Sequence, residues 1–296
     1  MMQSLTVRSF AKINWMLRIL EKRADGYHRL ETIFQTISLH DLITCRRSVR
    51  LEVTCDDPSI PSDESNLAYR AAAMMRAEFD IDPVHIDIRK AIPAGGGLGG
   101  GSSNAAMTLL ALDKMFDLGA PIERLVAMAG ELGSDVPFFL VGGTAWGTGR
   151  GDVLQVLPPP PSLPLLLLIP DEGIATADAY RRLAEARARG EVKTPRSYGI
   201  DRAEWIIRGG LAELGAHLVN DFEPVVFARA PRLRQLKDAL LHAGASFALM
   251  SGSGSTIFGA FRDADVRDGA APHFGAGVRS LACEPVTAHE TMRDLR

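Results

Sequence analysis

One stretch limits the folds open to this chain more than any other. It reads Pro93-Ala94-Gly95-Gly96-Gly97-Leu98-Gly99-Gly100-Gly101-Ser102-Ser103-Asn104-Ala105-Ala106, and six of its first nine residues are glycine. Before it, Val84, Ile86 and Ile88 alternate with His85, Asp87 and Arg89, the period of a half-buried strand, which we expect to run over 84–92. After it, Ala105, Leu109, Leu112 and Phe116 lie at helical spacing, with Ala106 and Leu110 beside them. Strand, glycine loop and helix in that order build an anion site. Glycine lets the backbone turn its N–H groups onto a ligand, and the helix adds the positive end of its dipole. Ser102 and Ser103 stand where their hydroxyls could meet phosphate oxygens or a magnesium ion.

Other phosphate loops fail on context. No Gly-Lys pair occurs, so the P-loop pattern is excluded. Gly95, Gly97 and Gly100 satisfy G-x-G-x-x-G, but a dinucleotide fold needs a second strand ending in an acidic residue after the helix. Here Asp117 follows the helix directly, and Pro121-Ile122-Glu123-Arg124-Leu125 begins another helix. No H-R-D or D-F-G triplet marks a protein kinase. A plain flexible turn remains as the simplest alternative, and six glycines leading into an apolar helix argue against it.

The rest of the chain frames this loop. Of the 296 residues 46% are hydrophobic and 23% charged, and the net charge is -3, which excludes the strongly basic footprint of a nucleic-acid binder. Cys45, Cys55 and Cys283 show no C-x-x-C spacing, so neither a disulfide framework nor a zinc site is expected, and a reducing cytoplasm fits. Residues 1–10 lack the apolar core of a signal peptide, and the run Leu163 to Ile169 is far short of the ~20 residues that cross a bilayer. Leu67, Ala71, Met74 and Met75 predict a helix capped by Ser65 or Asn66. Pro158-Pro159-Pro160-Pro161 is the clearest boundary, with a buried strand at Leu165 to Ile169 opening a second unit and a polar surface loop at 186–203. The expected architecture is α+β in two domains, 1–157 and 158–296, with the active site in the cleft between them.

The pattern P-x-G-x-G-L-G-x-x-S-S-x-A-A resembles the ATP loop of the GHMP kinases, small-molecule kinases acting on galactose, homoserine, mevalonate and related alcohols. Met250-Ser251-Gly252-Ser253-Gly254-Ser255-Thr256-Ile257-Phe258-Gly259 is similar to that family's third motif, which closes over the phosphates; alone, a tight turn before a strand would look the same. Ala11-Lys12-Ile13-Asn14-Trp15, Asp25-Gly26-Tyr27-His28 and Asn220-Asp221-Phe222-Glu223 resemble one branch of the family. That branch phosphorylates the 2-hydroxyl of 4-diphosphocytidyl-2-C-methyl-D-erythritol in the non-mevalonate route to isoprenoid precursors.

The resemblance implies roles, residue by residue. Asp135, within Gly133-Ser134-Asp135-Val136-Pro137-Phe138, matches the catalytic aspartate, while its residues alone equally suit a helix N-cap, and both roles could hold together. Lys12, by default an exposed strand lysine, would stand beside it and draw the hydroxyl toward its alkoxide. Tyr27 and His28 would hold a cytosine ring, with Tyr180 stacking from the other side where relatives often carry Phe. Asn14 and Thr176 would add polar contacts to the substrate. ATP would lie on residues 93–104, with Asn66 and Asn104 on the nucleotide side and Mg2+ as its companion ion. No metal-ligand set can be read, and Ser102 with phosphates and waters could suffice. Two rivals stay open: a GHMP kinase for another alcohol, and a non-catalytic nucleotide-binding protein.

Overall fold

The structure is a computed structural model that describes residues 2–24, 26–271 and 274–295, without the side chains of Ala212 and Glu213. Two long strands, β1 (Ser4–Lys22) and β2 (His28–Arg47), form one antiparallel hairpin along the molecule. At its start β1 alternates cleanly, with Leu5 and Val7 buried and Thr6 and Arg8 turned outward. From Ala11 to Leu17 it is buried on both faces. The alternation is lost at Ser9 and Phe10, next to a register shift between Phe10 and Ala11, and beyond it packing covers the strand from either side.

On the outer side of β2 lie β3 (Glu52–Cys55), β4 (Val84–Arg89), β5 (Thr144–Thr148) and β6 (Val153–Val156), completing a six-stranded sheet. Only the β3–β4 pair is parallel. Strand β4 ends at Arg89, earlier than the period predicts, because Asp41 captures the next backbone groups. Its Oδ1 accepts the N–H of Ala91 and of Ile92, both at 2.8 Å. Four helices cover this sheet: α1 (Leu67–Phe79), α2 (Gly100–Phe116), α3 (Ile122–Leu132) and α4 (Val136–Val141). Asn66 caps α1 as expected, its Oδ1 accepting the Ala68 N–H at 2.9 Å. Helix α2 lies in the middle of the layer, with Ala105, Leu109 and Leu112 wholly buried.

After β6, residues 157–164 run extended between two anchors. The Leu157 N–H donates to Thr144 of the first sheet, and Pro164 accepts from the Phe261 N–H of the second. The second sheet runs β10 (Val278–Cys283), β7 (Leu165–Pro170), β9 (Ile257–Ala260) and β8 (Phe247–Met250), all antiparallel. Every residue of β7 is buried, as its unbroken apolar run predicts. The helices of this half are α5 (Thr176–Ala188), α6 (Ile200–Arg208), α7 (Gly210–His217), α8 (Glu223–Arg229), α9 (Pro231–His242) and α10 (Ala264–Ala270). The surface loop expected at 186–203 is shorter than that. Helix α5 continues to Ala188 on good helix formers, held by Arg181 and Arg182 to Asp178, and α6 begins at Ile200.

The last residues turn back to the first sheet through α11 (Ala288–Thr291). The Val286 N–H donates to Thr36, and Arg8 pairs with Asp294 at 2.9 Å. All three cysteines are free thiols. Among the described residues no helix is long and apolar enough to cross a membrane.

Candidate active site

The glycine loop joins the end of β4 to α2, and its shape depends on what approaches it. Gly99 caps α2 in the left-handed region, φ 72°. A Cβ there would stand 2.8 Å from the Phe139 ring and 3.1 Å from Cγ of Lys12. Gly97, φ 76°, meets the second glycine/serine loop, where a Cβ would fall 2.2 Å from the Ser251 carbonyl oxygen. The two loops are bonded together. Ser251 Oγ donates to the Gly97 carbonyl at 3.0 Å and the Thr256 N–H to that of Gly96 at 3.2 Å.

Asn220 supports the second loop from behind. Its amide donates to the carbonyls of Met250 and Gly252, both at 2.7 Å. Glu223 accepts the Met250 N–H, and Asp221 accepts that of Ile19, so this segment joins β1 to the loop. Burial pushes the Asp221 carboxyl above its usual range, against the pull of the Ile19 N–H, Arg187 and Arg18.

Strand β1 brings the catalytic candidates in. Strand alternation puts Lys12 and Asn14 on one face, and the Lys12 backbone N–H donates to Leu98 of the glycine loop at 3.0 Å. Lys12 is only 3% exposed, so it is a buried cation rather than a surface lysine. Nζ donates to Asn14 Oδ1 at 2.8 Å and lies 3.5 Å from Asp135 Oδ2. Asn14 is itself fixed by donating to Thr32 Oγ1 at 2.7 Å. The Lys12–Asp135 separation is long for a direct hydrogen bond, so neither group is consumed by the other. A hydroxyl placed between them could give its proton to the carboxylate while the ammonium faces the oxygen.

Asp135 departs from one expectation. It precedes α4, but with φ -85° and ψ -14° it makes no side-chain cap bond. A capping side chain needs an extended N-cap residue, and here the helical backbone turns the carboxylate away from the helix N–H groups. It faces a cavity of about 360 Å³ shared with Lys12, Asn14, Thr176 and Tyr180.

Two further cavities adjoin this one. Residues 93–101 line a cavity of about 410 Å³ with Asn66, Lys90, Ser102 and Asn104. Asn66 reaches it as the cap of α1, and Asn104 while accepting from Ser9 Oγ at 2.7 Å. Leu98 is buried in the core and offers this cavity its backbone. Ser103 belongs elsewhere: one position further round the helix than Ser102, it is fully buried, and its Oγ is hydrogen-bonded with that of Ser9 at 2.8 Å. The phosphate contact expected of its hydroxyl is therefore corrected. Donors at the start of α2, with open backbone at Gly95, suit a polyphosphate.

The third cavity, about 500 Å³, is aromatic and is lined by Tyr27, His28, Arg150, Thr176 and Tyr180. Tyr27 and His28 stand at the β1–β2 turn, where the Arg23 N–H donates to Tyr27 at 2.7 Å; Asp25 lies outside the described residues. The His28 and Tyr180 rings stack at 5.4 Å and 24°. Burial, then Arg187 and Lys22, hold the His28 imidazole below its usual pKa. The Tyr180 hydroxyl is pushed up to about 12, chiefly by burial and then by the charge of Asp135. Thr176 lines all three cavities, and its hydroxyl pairs with Ser253 of the second loop at 2.8 Å.

Among the described residues no group of three or more His, Cys, Asp or Glu could hold a metal by itself. Two residues lining these cavities were missed from sequence, Arg150 and Lys90. Arg150 sits in a Gly-Arg-Gly-Asp turn with no chemical pattern to mark it. Lys90 directly precedes the loop, and its neighbourhood was the available signal.

A glycine loop at a helix start, a buried lysine beside an aspartate and a second loop closing over them define a small-molecule phosphotransferase. Models of the GHMP kinases N terminal domain and the GHMP kinases C terminal region match residues 66–143 and 204–273, together half of the chain. The 4-diphosphocytidyl-2-C-methyl-D-erythritol kinase of Moorella thermoacetica is 41% identical over 268 residues, 89% of this chain and 92% of its own. That of Prosthecochloris aestuarii is 39% identical, covering 94% and 96%. A solved structure described as 4-(cytidine 5'-diphospho)-2C-methyl-D-erythritol kinase superposes with a TM-score of 0.74 at 32% identity, covering 95% of this chain and 98% of its own. The chain belongs to the GHMP kinases, in the branch of the 4-diphosphocytidyl-2-C-methyl-D-erythritol kinases.

Proposed function

We propose that this protein transfers the γ-phosphoryl group of ATP to the 2-hydroxyl of 4-diphosphocytidyl-2-C-methyl-D-erythritol, in the cytoplasm. The observation that carries the reading is the Lys12–Asp135 pair, 3.5 Å apart, in a cavity that meets the glycine loop on one side and the aromatic cavity on the other. The two relatives and the solved structure are named for this substrate.

Each group has a role set by its place. Backbone N–H groups of residues 95–102 and the start of α2 hold the phosphates. Tyr27, His28 and Tyr180 hold the cytosine. Asn14 fixes Lys12, and Asn14 with Thr176 contacts the sugar alcohol. Asp135 takes the hydroxyl proton, a contribution of about 10²–10⁴ in rate for general bases, and Lys12 stabilises the developing alkoxide. Ser102, with the phosphates and waters, would hold Mg2+, which would supply charge neutralisation at the transferring group.

The test is ADP release with ATP, Mg2+ and the cytidyl substrate beside parallel reactions with mevalonate and homoserine. Turnover with the cytidyl substrate alone supports the reading, and turnover only with another alcohol overturns the substrate. In the same assay Asp135→Ala is expected to lose at least ~10²-fold in kcat while keeping its affinity for ATP. Full activity in that variant removes Asp135 from the mechanism.

A further inference from the structure

We infer that Lys237 is a positioning residue for phosphoryl transfer, fixing the second glycine/serine loop against the nucleotide and Lys12 by way of Glu223. The inference rests on the proposed function in taking that nucleotide to be ATP.

The base of the loop is where a hold is needed. Strand β8 is the edge strand of the second sheet and ends at Met250, directly before the loop. On an antiparallel strand the N–H and C=O of one residue point to the same side. Those of Met250 point away from β9, where no further strand of the sheet receives them. Residues 220–223 take them instead. Asn220 donates to the carbonyl at 2.7 Å, and Glu223 Oε1 accepts the N–H at 2.9 Å.

The two holds differ in what fixes them. Asn220 is buried, and its Oδ1 accepts the Phe222 N–H at 2.9 Å, so its own segment orients it. Glu223 is partly exposed, and its second oxygen, Oε2, accepts from Lys237 Nζ of α9 at 2.6 Å. With one oxygen on the backbone and the other on the ammonium, the carboxylate has a single orientation. Without Lys237 it is free to turn into the cavity of about 380 Å³ that both side chains line, and the Met250 N–H loses its acceptor. An exposed ion pair contributes little by its charges alone. This one sets the position of a backbone.

That position matters because of what the loop touches. Ser253 and Gly254 line the nucleotide cavity, and Gly252 and Ser253 line that of the reacting pair. Gly252 is two residues beyond Met250, and a Cβ on it would stand 3.5 Å from Lys12 Nζ. Among the described residues none from this loop lines the aromatic cavity, so a shift of the loop reaches the nucleotide and Lys12 but spares the base of the alcohol substrate.

The test is the affinity of the full chain for a non-hydrolysable ATP analogue by calorimetry, with ADP release on the cytidyl substrate measured beside it. Lys237→Met is expected to weaken the analogue about five- to twentyfold and to lower kcat comparably, while KM for the cytidyl substrate changes less than about twofold. Lys237→Arg, which keeps a cationic donor for Glu223, should recover most of the loss. Arg234→Met is the control. Arg234 lines the same cavity but lies over the Phe227 ring, at 5.8 Å, and its loss should leave both readings within about twofold of the parent protein. Glu223→Gln, which leaves Lys237 no charge to hold, should lose a factor comparable to that of Lys237→Met, and the double variant no more than either alone. It is also the variant to read should Lys237→Met fail to fold. A lowered melting temperature with analogue affinity intact would mean that Lys237 only stabilises the fold, and would overturn the inference. Additive losses in the double variant, or an equal loss in Arg234→Met, would overturn it too. A parent protein that binds the analogue but releases no ADP with the cytidyl substrate overturns the proposed function instead, and the analogue affinities still decide the role of Lys237.

Discussion

Replacing Gly97 with alanine probes how the two loops are held together. The added Cβ would fall 2.2 Å from the Ser251 carbonyl oxygen and 3.2 Å from that of Gly254, both backbone atoms that cannot rotate aside. Restoring contact distance requires the loops to part by about 1 Å. That separation breaks the bonds from Ser251 Oγ to Gly97 and from the Thr256 N–H to Gly96, now 3.0 and 3.2 Å. At ~1 kcal/mol net for each bond, with a further ~1–2 kcal/mol for an alanine held at positive φ, the loss is about 3–4 kcal/mol. Gly95→Ala is the control. Its φ of 72° imposes the same backbone penalty, but a Cβ there meets nothing within 4 Å. The gain from a stiffer unfolded chain is common to both variants and cancels in the comparison. For a chain of this length, thermal unfolding should show Gly97→Ala lowered by ~5–6 °C and Gly95→Ala by ~2–3 °C. Equal midpoints for the two variants would refute the contact between the loops.

Asn220→Ala leaves the carbonyls of Met250 and Gly252 without their donor, and should lower stability by ~2–3 kcal/mol in denaturant titration, together with ATP affinity. His28 has a lowered pKa in the folded state, so the unfolded chain takes up its proton first. Stability is therefore full above the ordinary value of 6.5 and falls as pH drops below it. Denaturant titrations across that range should show the decline, and His28→Gln should flatten it. Burial pushes the Cys45 thiol up to about 12 and raises Cys283 and Cys55 as well, but only Cys55 is half-buried rather than buried. Alkylation of the native protein at mildly alkaline pH, followed by mass spectrometry, should mark Cys55 alone, and all three after denaturation.

What was legible from sequence was local. The glycine loop, the Asn66 cap and the buried run of β7 each depend on neighbours in the chain, so spacing and residue type were enough. The approach of Lys12 to Asp135 joins positions far apart in sequence and came only through the family resemblance. Ser103 was misassigned because a pair of serines at a helix start looks equivalent in sequence, while a step of about 100° around the helix sends one to the cavity and the other toward Ser9. Arg150 escaped notice because its meaning depends on two cavities brought together by the fold. The loop expected at 186–203 from its polar, Gly/Pro-punctuated sequence spans 189–199; its ends were overdrawn because Arg, Glu and Ala carry α5 on to Ala188 and α6 begins at Ile200.

The double burial of β1 bears on how the molecule moves. Trp15 contacts Phe247 and Phe258 of the second sheet edge-on, at 6.0 and 5.6 Å, while the same strand is bonded to β2 of the first. A strand belonging to both cores leaves no seam along which the halves could swing apart, unlike kinases that close two lobes about a hinge. Substrate entry and product exit then fall to small parts such as the turn carrying Tyr27, since the loop from Ser251 to Ser255 is buried and bonded to Gly96, Gly97 and Asn220. Joined through that strand, the two halves should lose their structure together on heating, and two separate melting transitions would contradict the shared core.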